Sequence, residues 1–162
     1  MVAAVISDTH LPRGSRRIPD ECVERMRAAD AILHAGDVSE LEVLEEIEAL
    51  GPPVYAVRGN VDSWELQARL PARRTVELGG ARIGMVHDAG PATGRLARLR
   101  RQFPDADAVV FGHSHIPLYE RADGFAIFNP GSPTDRRRQP HHTMGLATIS
   151  DGAVAFELIA LD

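Results

Sequence analysis

The feature that most constrains this chain is how its short apolar runs end. Five runs are each followed, within a few residues, by side chains that can bind a metal ion. They are residues 2–6 before Asp8 and His10, 31–33 before Asp37, 54–57 before Asn60, 83–86 before His87, and 108–111 before His113 and His115. Short apolar runs bounded by turn residues are typical of buried strands. If these strands are neighbours, their carboxyl ends meet at the sheet edge where α/β proteins bind ligands.

The segments between the runs have helical features. Residues 19–29 begin with a proline, which suits the first turn of a helix. Ser39 and Glu42 have the spacing of a capping box, so we expect them to open a second helix. Residues 93–103 carry helix-spaced apolar side chains. Strands that alternate with helices predict a mostly parallel strand order.

The last third of the chain has the sequence pattern of β-hairpins. Residues 122–124 and 150–152 are turn sequences between apolar strands, and Gly79-Gly80 separates another such pair. Antiparallel additions to a βα core predict an α/β fold in which two mixed β-sheets pack together with helices outside. No linker, repeat or low-complexity tract interrupts the chain, so we expect one domain over residues 1–162.

Composition excludes several classes of protein. A chain of 162 residues with 44% hydrophobic and 25% charged residues can bury an ordinary globular core. Its net charge of −5 argues against nonspecific binding to nucleic acid or anionic membranes. Cys22 is the only cysteine, so no internal disulfide forms. With no signal peptide and no apolar run long enough to span a bilayer, we expect a cytoplasmic protein.

The metal-binding residue types occur in a telling order. Asp-x-His, Gly-Asp, Gly-Asn, His and Gly-His-x-His follow one another along the chain, each after an apolar run. Each piece alone is a weak signal, because these are also common turn residues. Together they indicate a dinuclear metal centre, because chance would rarely place all five after apolar runs in this order. Two neighbouring cations suit phosphoester hydrolysis.

These motifs resemble those of the calcineurin-like metallophosphoesterases. The chain is most similar to the small phosphodiesterases of the YfcE type found in bacteria and archaea. The resemblance extends from residues 5–10 (Val-Ile-Ser-Asp-Thr-His) to residues 129–132 (Asn-Pro-Gly-Ser). It implies a four-layer αββα sandwich and a metal-dependent phosphodiesterase, which is a phosphoric ester hydrolase acting on a small phosphoester substrate.

The resemblance also implies the ligand set. One ion would be held by Asp8, His10, Asp37 and His115, and the other by Asp37, Asn60, His87 and His113. A hydroxide bridging the two ions would attack phosphorus, and Asp37, Asn60 and His87 would act in catalysis as well as in metal binding. Mn²⁺ is the ion that the resemblance favours, with Fe, Zn²⁺, Ni²⁺ and Co²⁺ as alternatives, because histidine and carboxylate ligands suit these metals.

The sequence departs from the family pattern at two positions. Many relatives have a histidine after the ligand asparagine, where it can protonate the leaving group, but this chain has Val61. We therefore expect hydrolysis to depend strongly on leaving-group acidity. Asp88 stands where relatives usually have glycine. We interpret it as a solvated loop residue; the alternatives are that it orients His87 or accepts a hydrogen bond near the second metal.

Several other polar and aromatic residues could serve either a structural or a functional role. His34 is expected to be a core histidine that supports the ligands, and Trp64 a core anchor rather than a stacking platform. Arg58 is predicted either to contact substrate phosphate or to serve in packing. Residues 136–138 (Arg-Arg-Arg) are expected to be a solvated charge run, with substrate binding as the alternative.

Two other functions remain open at this level. The same ligand set serves a phosphomonoesterase, including a protein or nucleotide phosphatase. The resemblance also extends to the scaffold subunit of retromer, a metallophosphoesterase-like protein that mainly binds other proteins. All the ligand positions are intact here, which favours catalysis. Whether the chain forms a homo-oligomer is left open.

Overall fold

Most of the short apolar runs form strands buried on both faces, as expected for the middle of a layered α/β protein. The computed structural model describes residues 1–162, which form ten strands and four helices. Five strands make the first sheet: β1 (Val2–Ile6), β2 (Ala31–His34), β3 (Val54–Ala56), β9 (Thr143–Ser150) and β10 (Ala153–Ala160). Their order is β10-β9-β1-β2-β3. The strands β1, β2 and β3 are parallel, and β9 runs antiparallel to both of its neighbours.

The second sheet also has five strands. They are β4 (Arg73–Leu78), β5 (Ala81–Val86), β6 (Ala108–Val110), β7 (Leu118–Ala122) and β8 (Phe125–Asn129). The order is β4-β5-β6-β8-β7, with β5, β6 and β8 parallel and the two edge strands antiparallel. The three predicted hairpins are confirmed as β4–β5, β7–β8 and β9–β10.

The helices cover the outer faces of the sheets. They are α1 (Asp20–Ala28), α2 (Leu41–Glu48), α3 (Trp64–Arg69) and α4 (Arg95–Gln102). No helix is long and apolar enough to cross a membrane. The predicted capping box is wrong: Glu40 is the N-cap residue of α2 and makes no side-chain cap. Ser39 instead turns its backbone N–H towards Asp62, with a φ of 94°.

Three apolar clusters show how the layers stack. The largest, 19 residues, contains side chains of both sheets, among them Leu33 and Phe128, and so lies between them. The second packs α1 and α2 against the first sheet, and the third packs α4 against the second sheet. The layers are therefore helix, sheet, sheet, helix. The α/β four-layer αββα sandwich expected from the sequence is confirmed.

Candidate metal centre

The predicted ligands come from both sheets and meet at one edge of the sandwich. Asp8 and His10 follow β1, Asp37 follows β2 and Asn60 follows β3, while His87 follows β5 and His113 and His115 follow β6. Backbone bonds join the loops within each sheet, from Asp8 N–H to Gly36 O and from Gly112 N–H to His87 O. The side chain of Asp8 connects the sheets, because its Oδ2 accepts the backbone N–H of His113 at 3.0 Å.

One group of side chains consists of Asp8, His10 and His115. Their ligand atoms lie within 4.8 Å of one another. Asp8 Oδ1 is 3.7 Å from His10 Nε2 and 3.5 Å from His115 Nε2. These three atoms are buried and have no hydrogen-bond partner, and the chain has only one other such side-chain atom. A buried polar atom without a partner costs about 1–3 kcal/mol, so three of them facing one point fit a cation that all three would bind.

A second group consists of Asp37, His87 and His113, whose ligand atoms also lie within 4.8 Å of one another. His87 Nε2 is 3.1 Å from Asp37 Oδ2. The amide oxygen of Asn60 is 3.1 Å from His87 Nε2 and 3.2 Å from His113 Nδ1. Atoms bound at about 2.1 Å to one ion with angles of 90–110° are about 3.0–3.4 Å apart. The three distances given above, two of which involve Asn60, have this spacing.

Asp37 lies between the two groups. Its Oδ2 is 3.4 Å from His10 Nε2 in the first group and 3.1 Å from His87 Nε2 in the second. Its Oδ1 accepts the backbone N–H of Val61 at 3.0 Å, which fixes the carboxylate. A carboxylate held in this way can serve two cations at once. The position of Asp37 therefore fits the bridging role that the resemblance implies.

Two of the histidines are oriented by backbone carbonyls. His87 Nδ1 donates to Ala35 O at 2.8 Å, and His115 Nδ1 donates to Asp135 O at 2.5 Å. A carbonyl oxygen only accepts, so Nδ1 carries a proton, and in the neutral ring, which is the form that binds a metal, the lone pair of Nε2 faces the cluster. Histidines that bind metals are commonly oriented by such a bond.

The electrostatics of the cluster suit cations. The carboxylates of Asp37 and Asp8 raise the pKa of the His10 imidazole to about 9. Burial by itself would raise the pKa of Asp37, but the neighbouring imidazoles of His10 and His87 outweigh burial and hold this pKa well below its usual value. Burial lowers the pKa of His115. Asp37 is therefore an anion at neutral pH, and positive charge beside it is favoured.

The backbone at the site is unusual. Five of the predicted ligands have φ between 46° and 72°, a region that non-glycine residues seldom occupy: Asp8, His10, Asp37, His113 and His115. Only four other non-glycine residues in the chain have a positive φ. Backbone strain of this kind concentrates at functional sites. Glycine allows the close approach of the loops, because a Cβ at Gly59 would collide with the Asp37 side chain, and one at Gly112 with Ser7 Oγ.

Asp62 belongs to the site although the sequence reasoning assigned it no role. Its Oδ2 accepts the backbone N–H groups of Gly59 at 2.6 Å and Asp37 at 3.2 Å, and its Oδ1 accepts that of Ser39 at 2.7 Å. Burial raises the pKa of this carboxyl, although its hydrogen bonds oppose the shift. Asp62 thus ties the loop after β2 to the loop after β3. The signal in the sequence was its position two residues after Asn60.

His34 joins two other ligand loops. It is fully buried, its Nδ1 accepts the N–H of Gly36 at 3.2 Å, and its Nε2 is 3.1 Å from Thr9 Oγ1. The Thr9 hydroxyl lies 3.4 Å from the carbonyl oxygens of Asp37 and Val38. His34 is therefore a satisfied core histidine that also supports the ligand loops, as the sequence suggested. Burial lowers its pKa to about 4.

The structure also shows where the residues lie whose functional role the sequence left undecided. Trp64 is 77% exposed, so the core-anchor prediction is wrong: it begins α3 and faces solvent. Arg58 donates to the carbonyls of Gln67 and Leu70, which favours the packing role over phosphate contact. Residues 136–138 are exposed, as expected of a solvated charge run. The Ser132 hydroxyl donates to Asp8 O at 2.7 Å and so helps to shape the site.

The fold and the site define a two-sheet α/β protein with a cluster of histidines and carboxylates suited to metal ions. The sequence profile of the calcineurin-like phosphoesterase superfamily domain matches residues 1–152. The chain therefore belongs to this superfamily of metallophosphoesterases.

Individual relatives agree with this assignment. A probable metallophosphoesterase of Methanothermobacter thermautotrophicus is 35% identical over 136 residues, which are 83% of this chain and 78% of that protein. A phosphodiesterase of Methanocaldococcus jannaschii is 26% identical over 81% of this chain and 83% of its own length. The crystal structure of Vps29 from Entamoeba histolytica complexed with Zn²⁺ superposes with a TM-score of 0.79, at 25% identity, over 100% of both chains.

Proposed function

We propose that this protein is a phosphodiesterase that requires two divalent cations. Asp8, His10, Asp37 and His115 hold one cation, and Asp37, Asn60, His87 and His113 hold the other. The observation that carries the proposal is the set of three buried, unpartnered ligand atoms of Asp8, His10 and His115, with Asp37 between them and the second group. When bound, two such cations would supply a hydroxide nucleophile at neutral pH and a positive clamp for the phosphoryl oxygens.

The residues of the chain perform the positioning. Asp8 and Asp37 contribute two negative charges, fewer than the four positive charges of two cations, so the loaded site attracts an anionic phosphoester. The carbonyls of Ala35 and Asp135 keep the Nε2 atoms of His87 and His115 directed at the cluster. Asp62 holds the backbone on either side of this arrangement.

A relative supports a diester substrate, the residue after Asn60 bears on the leaving group, and the ligand types suit Mn²⁺. A relative that covers most of this chain is named a phosphodiesterase. Val61 occupies the position after Asn60 and offers no proton for the leaving group, so alcohols that leave easily are favoured. The mixture of imidazole, carboxylate and amide ligands suits Mn²⁺, with Fe, Zn²⁺, Ni²⁺ and Co²⁺ as alternatives.

The test is a screen of metal-stripped and reloaded protein. Aryl phosphodiesters with leaving groups of graded pKa, matched monoesters and nucleotides are assayed with each metal, beside metal analysis of the protein. We expect diester hydrolysis whose kcat falls steeply as the leaving-group pKa rises. Rates insensitive to the leaving group would contradict the absence of a general acid, and faster monoester than diester hydrolysis would favour a phosphomonoesterase.

The control is Asp37→Asn, which removes the shared anion. We expect loss of at least one ion and near-complete loss of hydrolysis. Activity that survives with both ions retained would mean that Asp37 does not bridge. The Vps29 similarity favours a second function, a protein-binding scaffold. Stoichiometric metal binding by the wild type without turnover of any ester would support it.

A further inference from the structure

His113 is oriented differently from His87, the other histidine of the second group. Its Nδ1 faces the cluster, 3.2 Å from Asn60 Oδ1, so its Nε2 points outward. The outward nitrogen of His87, by contrast, is held by a backbone carbonyl, as is that of His115 in the first group. No backbone acceptor holds the Nε2 of His113, whose side chain is 45% exposed. The ring thus lacks the fixed bond that its neighbours have.

A carboxylate faces this nitrogen. Asp88 Oδ2 lies 3.9 Å from His113 Nε2. The other oxygen, Asp88 Oδ1, accepts the N–H of Gly90 at 2.8 Å, which anchors the side chain within its loop. Oδ2 makes no hydrogen bond, and it is the oxygen directed at His113. The Asp88 and His113 side chains are 62% and 45% exposed, so solvent lies on one side of each, and a small rotation of either brings this pair to hydrogen-bond distance.

We infer that Asp88 is the positioning carboxylate of His113: it accepts the Nε2–H, fixes the tautomer whose Nδ1 lone pair faces the cluster, and strengthens the second cation site. The inference rests on the proposed function, because His113 is a ligand only if the second group binds a cation. The inference also decides between the roles considered for Asp88 from the sequence, in which it is a solvated loop residue, orients His87 or accepts a hydrogen bond near the second metal. Asp88 follows His87 in the chain, but its carboxylate faces His113, while His87 is already oriented by Ala35 O.

The effect is confined to one of the two sites. Removing the partner of a ligand histidine typically lowers metal affinity about 10–100-fold, because the ring loses its orientation and basicity. His10 and His115 lie in the first group and do not depend on this carboxylate. Asp88 therefore sets the metal concentration at which the second site fills.

The experiment is a titration of metal-stripped protein with Mn²⁺, in which free Mn²⁺ is followed by electron paramagnetic resonance, without substrate. In Asp88→Ala we expect one of two binding steps to weaken at least about tenfold, with the other step unchanged. Asp88→Asn keeps an acceptor oxygen but loses the charge, so we expect an intermediate loss. Asp105→Ala, which removes an exposed aspartate without a hydrogen bond, is the matched control and should titrate like the wild type.

Two further measurements identify the partner. His113→Ala should weaken the same step, and adding Asp88→Ala to it should have no further effect. In the Zn²⁺-loaded protein, the Nε2–H signal of His113 in imidazole ¹⁵N–¹H spectra should persist in the wild type and be lost by exchange in Asp88→Ala. Unchanged binding in Asp88→Ala, or equal weakening of both steps, would overturn the inference alone. A wild type that binds no metal would overturn the proposed function and this inference with it.

Discussion

At the scale of single residues, one buried carboxylate organises the ligand loops. Asp62 accepts three backbone N–H groups, those of Asp37, Ser39 and Gly59, and so fixes where two strands deliver their ligands. A carboxylate is suited to this task because both of its oxygens accept and neither donates. The candidate ligand side chains are thus placed by a residue that is not a ligand in the proposed set.

Replacing Asp62 by asparagine tests this role. The amide NH₂ cannot accept, so at least one of these three N–H groups, two of them buried and that of Ser39 partly buried, loses its partner, at a cost of about 1–3 kcal/mol. We expect this loss in the free energy of unfolding of the metal-free protein, measured by urea denaturation, together with weaker metal binding. Asp30→Asn is the control, because Asp30 accepts a single exposed N–H, that of Val2. An equal loss in both variants would contradict the role of Asp62.

His34 gives a prediction on pH. Its pKa is lowered to about 4 by burial, against 6.5 for an unperturbed histidine. The unfolded chain therefore binds more protons than the folded protein between these two pH values. The free energy of unfolding is highest above pH 6.5, where His34 is neutral in both states, and it falls as the pH falls towards 4. From pH 7.5 to 5 this loss amounts to about 2 kcal/mol.

The measurement is urea unfolding in EDTA at both pH values, for the wild type and for His34→Gln, which does not titrate. The other titrating groups are common to both proteins, so the difference isolates His34. We expect the stability of the wild type to fall by about 2 kcal/mol more than that of the variant. Parallel pH profiles would show that His34 is not held neutral by the fold.

At the scale of elements, the two sheets pack closely against each other where β9 faces β8. A Cβ at Gly145 of β9 would collide with the ring of Phe128 in β8. That ring stacks on Phe156 of β10 with centroids 4.6 Å apart. An aromatic side chain of one sheet therefore fills the space that a missing side chain of the other leaves open, which close packing requires.

Gly145→Ala should overpack this contact. We expect a loss of about 1–3 kcal/mol in the free energy of unfolding, with metal affinity unchanged, because the site lies at the edge of the sheets. Thr148→Val changes an exposed position of the same strand and should stay within about 0.5 kcal/mol of the wild type. A stability of Gly145→Ala equal to that of the control would mean that the sheets can separate at little cost.

At the scale of the whole molecule, the candidate ligands come from both sheets. Loops after β1, β2 and β3 supply four of them, and loops after β5 and β6 supply the other three. Ions bound there would join the two halves of the sandwich at one edge. The site is therefore expected to contribute to stability as well as to chemistry.

Metal binding should raise the melting temperature, by an amount that grows with the logarithm of the metal concentration relative to Kd. A ligand at 100 times its Kd stabilises the native state by about 2.7 kcal/mol per site. Calorimetry over a series of Mn²⁺ concentrations should show a progressive rise, reversed by EDTA. Asp37→Asn should show a reduced rise. A melting temperature of the wild type that is independent of metal would contradict binding to the native state.

The sequence by itself determined the class of fold and the order of the candidate ligands. Apolar runs ending on Asp8, Asp37 and His87 specify strands and place polar groups at their carboxyl ends, because strand burial and turn chemistry are local properties. The hairpin turns could likewise be predicted from a few residues each, because turn geometry depends on local residue types such as glycine and aspartate.

Only the tertiary structure decided how those residues meet. Ser39 was expected to cap a helix, but its N–H is bound by Asp62, and Trp64 was expected in the core, but it faces solvent. The roles of Asp62 and Asp88 depend on partners in other loops, which neither periodicity nor propensity reveals. Contacts between distant segments depend on the packing of two sheets, and that packing is set by the whole chain rather than by any one stretch of it.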